Sequence, residues 1–189
     1  MEKNFNNNFV SYDAVEDSIN DIVFELKNNK AAIIPTDTLA GIISYDKKLI
    51  YKIKKRPSHK KLILFVPSFE SIGTNNPIFK KLAKQFWPGP LTIVENGISY
   101  RMPNDPFLLK LLNKTGMIYS SSANLSGKNP IKNENEAFSY FNKYKNDIIF
   151  IYGNYLIESK PSTVFDINKN KLLREGEIQD EKIKEWTSK

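Results

Sequence analysis

Met117-Ile118-Tyr119-Ser120-Ser121-Ser122-Ala123-Asn124-Leu125-Ser126-Gly127 is the stretch on which the reading of this chain turns. Its first three residues form a short apolar run and read as a buried strand. Four hydroxyls, one carboxamide and one glycine then crowd where that strand should end. Open α/β sheets place ligand-binding loops at such strand ends. Hydroxyls and backbone N–H groups suit phosphate or carboxylate oxygens, because they donate hydrogen bonds without bulk. A plain polar turn would use the same residue types.

On either side of this stretch, strands and helices alternate without strict order. Residues 13–28 read as an amphipathic helix, with Asp13 and Glu16 as a capping box and Val15, Ile19, Ile22, Val23 and Leu26 on one face. Ala31-Ala32-Ile33-Ile34 reads as a buried strand ending at Pro35, and Leu39 to Ser44 as a second. Leu49, Ile50 and Ile53 suit a short helix that ends before Pro57. Leu62 to Val66 is the clearest buried strand. Ile78, Leu82 and Phe86 mark a helix stopped by Trp87-Pro88-Gly89-Pro90. Strands follow at Leu91 to Val94 and Ser99 to Met102, then a helix through Phe107, Leu108, Leu111 and Leu112. A helix near 134–143, strands near 148–152, 163–167 and 171–174, and a helix near 179–186 complete the pattern. The expected class is α/β, a mixed sheet flanked by helices.

The chain has 189 residues, enough for one domain with a full core. Its 40% hydrophobic and 26% charged residues match a soluble globular protein. Leu62-Ile63-Leu64-Phe65-Val66 is far too short to span a bilayer, and residues 1–8 lack the apolar core of a signal peptide. The expected location is the cytoplasm. Having no cysteine excludes disulfides, thiolate nucleophiles and thiolate metal sites. The single histidine, His59, lies in a basic turn, which excludes a histidine-rich zinc site and any mechanism with two imidazoles. The formal net charge of +7 favours anionic partners such as nucleotides or RNA.

Neither a G-x-x-x-x-G-K-[ST] loop nor a G-x-G-x-x-G motif is present, so a nucleotide would need another cradle. Four further elements near strand ends offer one. Pro35-Thr36-Asp37-Thr38-Leu39-Ala40-Gly41 supplies hydroxyls and a carboxylate, or else an Asx-type turn. Lys54-Lys55-Arg56-Pro57 could clamp phosphates or simply complement a helix dipole. Arg101, in Tyr100-Arg101-Met102-Pro103, is unusual inside a strand, unless it snorkels at an exposed face. Ser162 enters one strand and Arg174 leaves the next, so the two could meet across a hairpin. Asp166 is an alternative partner for Arg174.

The ordered series PTDT, KKRP, FWPGPLT, YRMP, SSANLSG, PSTVFD and LLREG resembles the YrdC/Sua5 family of L-threonylcarbamoyladenylate synthases. The resemblance runs from about Ile33 to Gly176 and matches the single-domain type, with residues 1–189 as one YrdC-like domain. It implies a twisted mixed β-sheet around a concave basic cavity. It also implies synthesis of L-threonylcarbamoyl-AMP from L-threonine, bicarbonate or CO2, and ATP, releasing pyrophosphate. The product serves N6-threonylcarbamoyladenosine formation at position 37 of tRNAs, through downstream threonylcarbamoyl-transferase proteins. Mg2+ would travel with the triphosphate; no zinc, haem or nicotinamide is implied.

By the same resemblance, Lys54 and Arg56 neutralise phosphate charge and carry catalysis. Ser120, Ser122 and Asn124 line the cavity where carbamate meets phosphate, while Ser121 and Ser126 are turn residues. Ser162 and Arg174 close the ATP side. Thr36, Arg101 and Ser122 bind threonine, Arg101 through its carboxylate. Three departures stand out. Ala40 replaces a usual aromatic, Phe65 replaces a frequent histidine, and the segment between Thr92 and Arg101 is short, as if a covering loop were trimmed. Two other readings use the same residues: a non-catalytic module of this fold binding double-stranded RNA or tRNA, and a degenerate member that binds nucleotide but turns over poorly.

Overall fold

Among the described residues, ten strands join in one sheet in the order β1-β8-β2-β3-β7-β4-β6-β5-β9-β10. A computed structural model describes residues 10–129, 131, 134–153 and 159–187. The strands are β1 (Val10–Asp13), β2 (Ala31–Ile34), β3 (Gly41–Ser44), β4 (Ile63–Phe65), β5 (Leu91–Glu95), β6 (Ile98–Arg101), β7 (Ile118–Ser122), β8 (Ile148–Tyr152), β9 (Thr163–Asp166) and β10 (Lys171–Arg174). The helices are α1 (Ile19–Lys27), α2 (Lys47–Lys54), α3 (Pro77–Phe86), α4 (Pro106–Thr115), α5 (Glu134–Phe141) and α6 (Asp180–Thr187). Parallel and antiparallel pairs are mixed, as the sequence pattern predicts. None of these helices is long and apolar enough to cross a membrane.

Coverage of the sheet by helices is uneven, and this makes room for a site. On one face, α2 and α5 pack on β2, β3 and β8 through Ile33, Ile42, Phe138 and Phe150. On the same face, α3 and α6 pack on β5 and β9 through Phe79, Ile93, Phe165 and Ile183. The opposite face carries α1 and α4, which cover β2, β3, β7 and β8 through Leu26, Ile43, Leu111 and Ile149. Side chains alternate across a strand, so residues in register share a face. Ser120 on β7, Ile63 on β4 and Ser99 on β6 lie opposite one another on this second face. Arg101, Thr92, Val164 and Arg174 extend it onto β5, β9 and β10. There the face borders an open cavity rather than a helix.

Two expectations change. Residues 13–28 are not one helix: Asp13 ends β1, a short 3-10 turn spans Glu16–Ser18, and α1 starts at Ile19 behind Ser18, so the capping box does not form. The reason is tertiary. The strand β1 pairs in parallel with β8 and buries Ser11 and Tyr12, while Val15 is left 51% exposed. Secondly, β7 runs on through Ser122, so the first three serines belong to the strand rather than to a turn after it. On one side β7 pairs with β3 as far as Ser122, but on the other it pairs with β4 only as far as Ser120.

The end of α2 sets the direction of a buried lysine. Lys55 caps the helix in the left-handed conformation, with φ 49°, and its N–H bonds back to the carbonyls of Lys52 and Tyr51. This brings the chain off the helix so that Lys54 faces the sheet and is buried. A side chain in that conformation costs about 1–2 kcal/mol that glycine avoids, offset in part by glycine's greater freedom when unfolded. Lys55→Gly should therefore raise stability by roughly 0.5–1 kcal/mol. A higher urea midpoint at unchanged slope is the expected reading, and an unchanged or lower midpoint would refute it.

Candidate active site

Arg101 ties the site together. It is 3% exposed, so the snorkelling alternative fails. Its Nη2 pairs with Asp37 Oδ1 at 2.6 Å, its Nη1 donates to Thr38 Oγ1 at 2.9 Å, and its Nε donates to the Gly89 carbonyl at 3.1 Å. One guanidinium on β6 thus fixes the 35–40 loop and the turn after α3. Burial pushes its pKa down, and the Asp37 carboxylate pulls it back up. The 35–40 loop also braces itself: Thr36 Oγ1 accepts from the Thr38 N–H at 3.1 Å and donates to the Leu39 carbonyl at 2.8 Å.

Ser162 and Arg174 meet across the β9–β10 hairpin. The guanidinium donates through Nε and Nη2 to the Ser162 carbonyl at 3.1 and 2.8 Å, and through Nη2 to Ser162 Oγ at 3.1 Å. Ser162 Oγ lies 2.9 Å from Thr92 Oγ1 on β5. Asp166 does not pair with Arg174. Its Oδ1 accepts the N–H groups of Asn168 and Lys169, which keeps the carboxylate inside its own turn. Gly176 permits the close approach: a Cβ there would strike the Pro161 carbonyl and the Ser162 backbone.

Arg56 is held by its own turn. Its Nε donates to the Lys60 carbonyl and its Nη2 to the Lys61 carbonyl, both at 2.9 Å. Lys61 in turn donates to the Gly97 carbonyl at 2.6 Å. Gly97 and Asn96, both at positive φ, make the tight two-residue turn between β5 and β6, which is why that segment is short. His59 is exposed in the 56–61 turn, as expected.

These groups converge on a cavity of about 290 Å³. Of the residues singled out in the sequence, Thr36, Arg56, Arg101, Ser120, Ser122, Ser162 and Arg174 line it. Ser121, which belongs to β7 and not to a turn, is among the lining residues as well. Thr38, Lys61, Thr92 and Ser99 are further lining residues that sequence reasoning missed. Thr92 and Ser99 carried a signal: each is a polar residue alternating with apolar ones inside a strand. Lys61 carried none. Among the described residues, no carboxylate lines it. Burial and repulsion from Arg101 and Arg56 push the pKa of Arg174 down, so the cavity's own cations oppose one another.

Lys54 and Asn124 do not line the cavity. Lys54 is 1% exposed, and its ammonium donates to the Ser122 carbonyl, to the Asn124 carbonyl at 2.7 Å and to Asn124 Oδ1 at 3.1 Å. Asn124 Nδ2 donates to the carbonyls of Leu125 and Lys128, so its carboxamide is fully occupied inside the chain. Burial, helped by Arg56, pushes the Lys54 pKa down to about 7. Of the departing residues, Ala40 is buried in the core beneath α2, while Phe65 lines the cavity with the Arg101 guanidinium 5.8 Å from its ring centre.

The motifs carried on these elements have a family counterpart. The sequence profile named for Sua5, YciO and YrdC, described as "Telomere recombination", matches residues 25–176. The chain belongs to the Sua5/YciO/YrdC family. It is 34% identical over 161 residues to an uncharacterised protein of Mycoplasma pneumoniae, covering 82% of this chain and 34% of that one. It is 33% identical over 138 residues to the threonylcarbamoyl-AMP synthase of Bacillus subtilis, covering 59% of this chain and 40% of that enzyme. Among solved structures, Sua5 of P. abyssi complexed with L-threonine matches 93% of this chain and 59% of its own, with a TM-score of 0.81 at 28% identity. The chain therefore spans between a third and two fifths of the length of those two curated relatives. The mixed sheet is that of the Sua5 fold.

Two outcomes are expected of these buried charges. Removing Asp37 would leave a buried guanidinium uncompensated, so Asp37→Ala should cost about 3–5 kcal/mol in denaturant unfolding; a cost below about 1 kcal/mol would mean the ion pair is dispensable. Lys54 has a folded pKa of about 7 against an unfolded value of 10.5, so between these values the unfolded chain binds the extra proton. Its stabilising contribution is therefore lost as pH falls through 7. Relative to Lys54→Met, wild type should gain up to about 1.4 kcal/mol per pH unit from pH 7 to 9. A pH-independent difference would refute the shift.

Proposed function

We propose that this chain makes L-threonylcarbamoyl-AMP from L-threonine, bicarbonate or CO2, and ATP, with release of pyrophosphate. The observation that carries this reading is the convergence of three guanidiniums and a set of hydroxyls on one cavity, with no carboxylate lining it among the described residues. Family membership and the threonine complex of the related Sua5 support it.

Several donors remain for a ligand. Among the described residues, Nη1 of Arg56 and Nη1 of Arg174 make no hydrogen bond, and Arg101 uses three of its five N–H groups. Ser120 is 2% exposed and lines the cavity, and its hydroxyl has no hydrogen-bond partner among the described residues. In the proposed complex Arg101 and Thr36 take the threonine carboxylate and its neighbourhood. Arg56 and Arg174 take the phosphates. Ser120 and Ser122 meet the carbamate, and Ser162 braces Arg174. Mg2+ enters on the triphosphate as part of the substrate.

The reaction then needs no protein nucleophile. Threonine's amine nitrogen adds to CO2 and loses a proton, giving a carbamate. A carbamate oxygen bonds to the α-phosphorus, and the bond to the pyrophosphate oxygen breaks. Charge builds on phosphate oxygens during the displacement, and fixed guanidiniums stabilise it without reorganising. Holding carbamate beside phosphorus supplies the proximity, and a walled cavity limits hydrolysis of the labile intermediate. This chemistry suits a chain with no cysteine and one histidine. Its product would feed, in the cytoplasm, the proteins that transfer threonylcarbamoyl to tRNA.

The test is pyrophosphate release by purified protein. Release should require ATP, threonine and bicarbonate together. Absence of release, accompanied by tight binding of double-stranded RNA, would replace this reading with the RNA-binding one. Arg56→Ala should lower kcat on the order of 10²-fold if its guanidinium meets developing phosphate charge. An unchanged rate would take Arg56 out of the site.

A further inference from the structure

We infer that Lys54 and Asn124 act as positioning residues, holding the Ser120–Ser122 end of β7 in shape from behind the cavity, and that neither meets the phosphates. The inference rests on the synthase reading for its kinetic arm only; its structural arm stands without substrates.

The need for such a brace comes from the sheet. The strand β7 pairs with β3 up to Ser122 but with β4 only up to Ser120. The Ala123 N–H donates to the Ala40 carbonyl, on the β3 side, at 2.6 Å. Alternation along an antiparallel strand turns the Ser122 carbonyl to the other side, where β4 has already stopped. There it accepts from two donors, the Asn124 N–H at 3.0 Å and the Lys54 ammonium.

The bracing goes further than one bond. Lys54 binds the turn with its backbone as well, since its carbonyl accepts the Ser126 N–H at 2.9 Å. The ammonium's other bonds go to the Asn124 carbonyl and Asn124 Oδ1. Asn124 Oδ1 also accepts from Ser122 Oγ at 2.6 Å. The ammonium has three protons, and three oxygens of the turn receive them, so no donor is left to point at a ligand. The carboxamide of Asn124 is equally spent, on Lys54, Ser122 and the carbonyls of Leu125 and Lys128. Both residues thus reach the substrate through Ser122.

Lys54→Met tests this by two readings. In the ligand-free protein, hydrogen exchange at the Ala123 and Ser126 amides should quicken at least about tenfold, while the Ile42 and Ile43 amides of β3 stay as in wild type. In pyrophosphate release, kcat should fall at least about tenfold while the KM for ATP changes less than about threefold. Lys54→Gln, which keeps two donors, should restore part of both losses. Should Lys54→Met not fold, Lys54→Gln against wild type gives the same comparison. Unchanged exchange at Ala123 and Ser126 would overturn the inference. So would a rise of about tenfold or more in the KM for ATP, because that would place the ammonium on the phosphates. If wild type released no pyrophosphate, the synthase reading would fail, and the exchange reading would still decide whether Lys54 holds the turn.

Discussion

A guanidinium buried in the middle of a sheet must be answered on every side, and Arg101 organises this protein because it is. An unpaired charge at 3% exposure would be prohibitive. Three separate groups therefore converge on it: Asp37 and Thr38 from the loop after β2, and the Gly89 carbonyl from the turn after α3. Sequence distances of 63, 64 and 12 residues are closed by one side chain. The wall of the cavity is thus a by-product of satisfying a single cation. Specificity of this kind, rather than net stability, is what a buried ion pair is best suited to supply.

The second determinant is the unequal clothing of the sheet. Four helices dress one face and two dress the other, so the β6-β5-β9-β10 half has one apolar side and one open side. Strand alternation then sorts the residues. Ile93 and Phe165 go to the helices, and Thr92 and Val164 go to the cavity. The polar members of otherwise apolar strands are not imperfections in the core; they form the floor of the site.

Much of this architecture is legible in the chain itself. Apolar runs place nearly every strand, and the motif series places Thr36, Arg56, Arg101, Ser120, Ser122, Ser162 and Arg174 together. What escapes depends on long-range pairing. The edge strand β1 exists because β8 offers it a ladder, and no local pattern in Val10–Asp13 announces that. Asp37 looks like a turn residue because its partner lies 64 positions away. Residue type and neighbourhood point Lys54 and Asn124 toward the cavity. In the structure they bond to each other and to the turn after β7, a pairing across 70 positions that sequence spacing does not encode.

The cations around the cavity are mostly tethered by backbone carbonyls: Lys60 and Lys61 hold Arg56, Gly97 holds Lys61, and Ser162 holds Arg174. A carbonyl fixes a guanidinium in place but leaves its charge uncancelled. Unlike Arg101, these three groups have no internal counter-ion among the described residues for an incoming anion to evict. The empty protein consequently carries a self-repulsion among these cations. Carbonyls also do not titrate, so acid cannot loosen these tethers by protonating their acceptors. Position and charge are therefore set separately in this cavity: neutral carbonyls fix where each cation sits, and none of them cancels it.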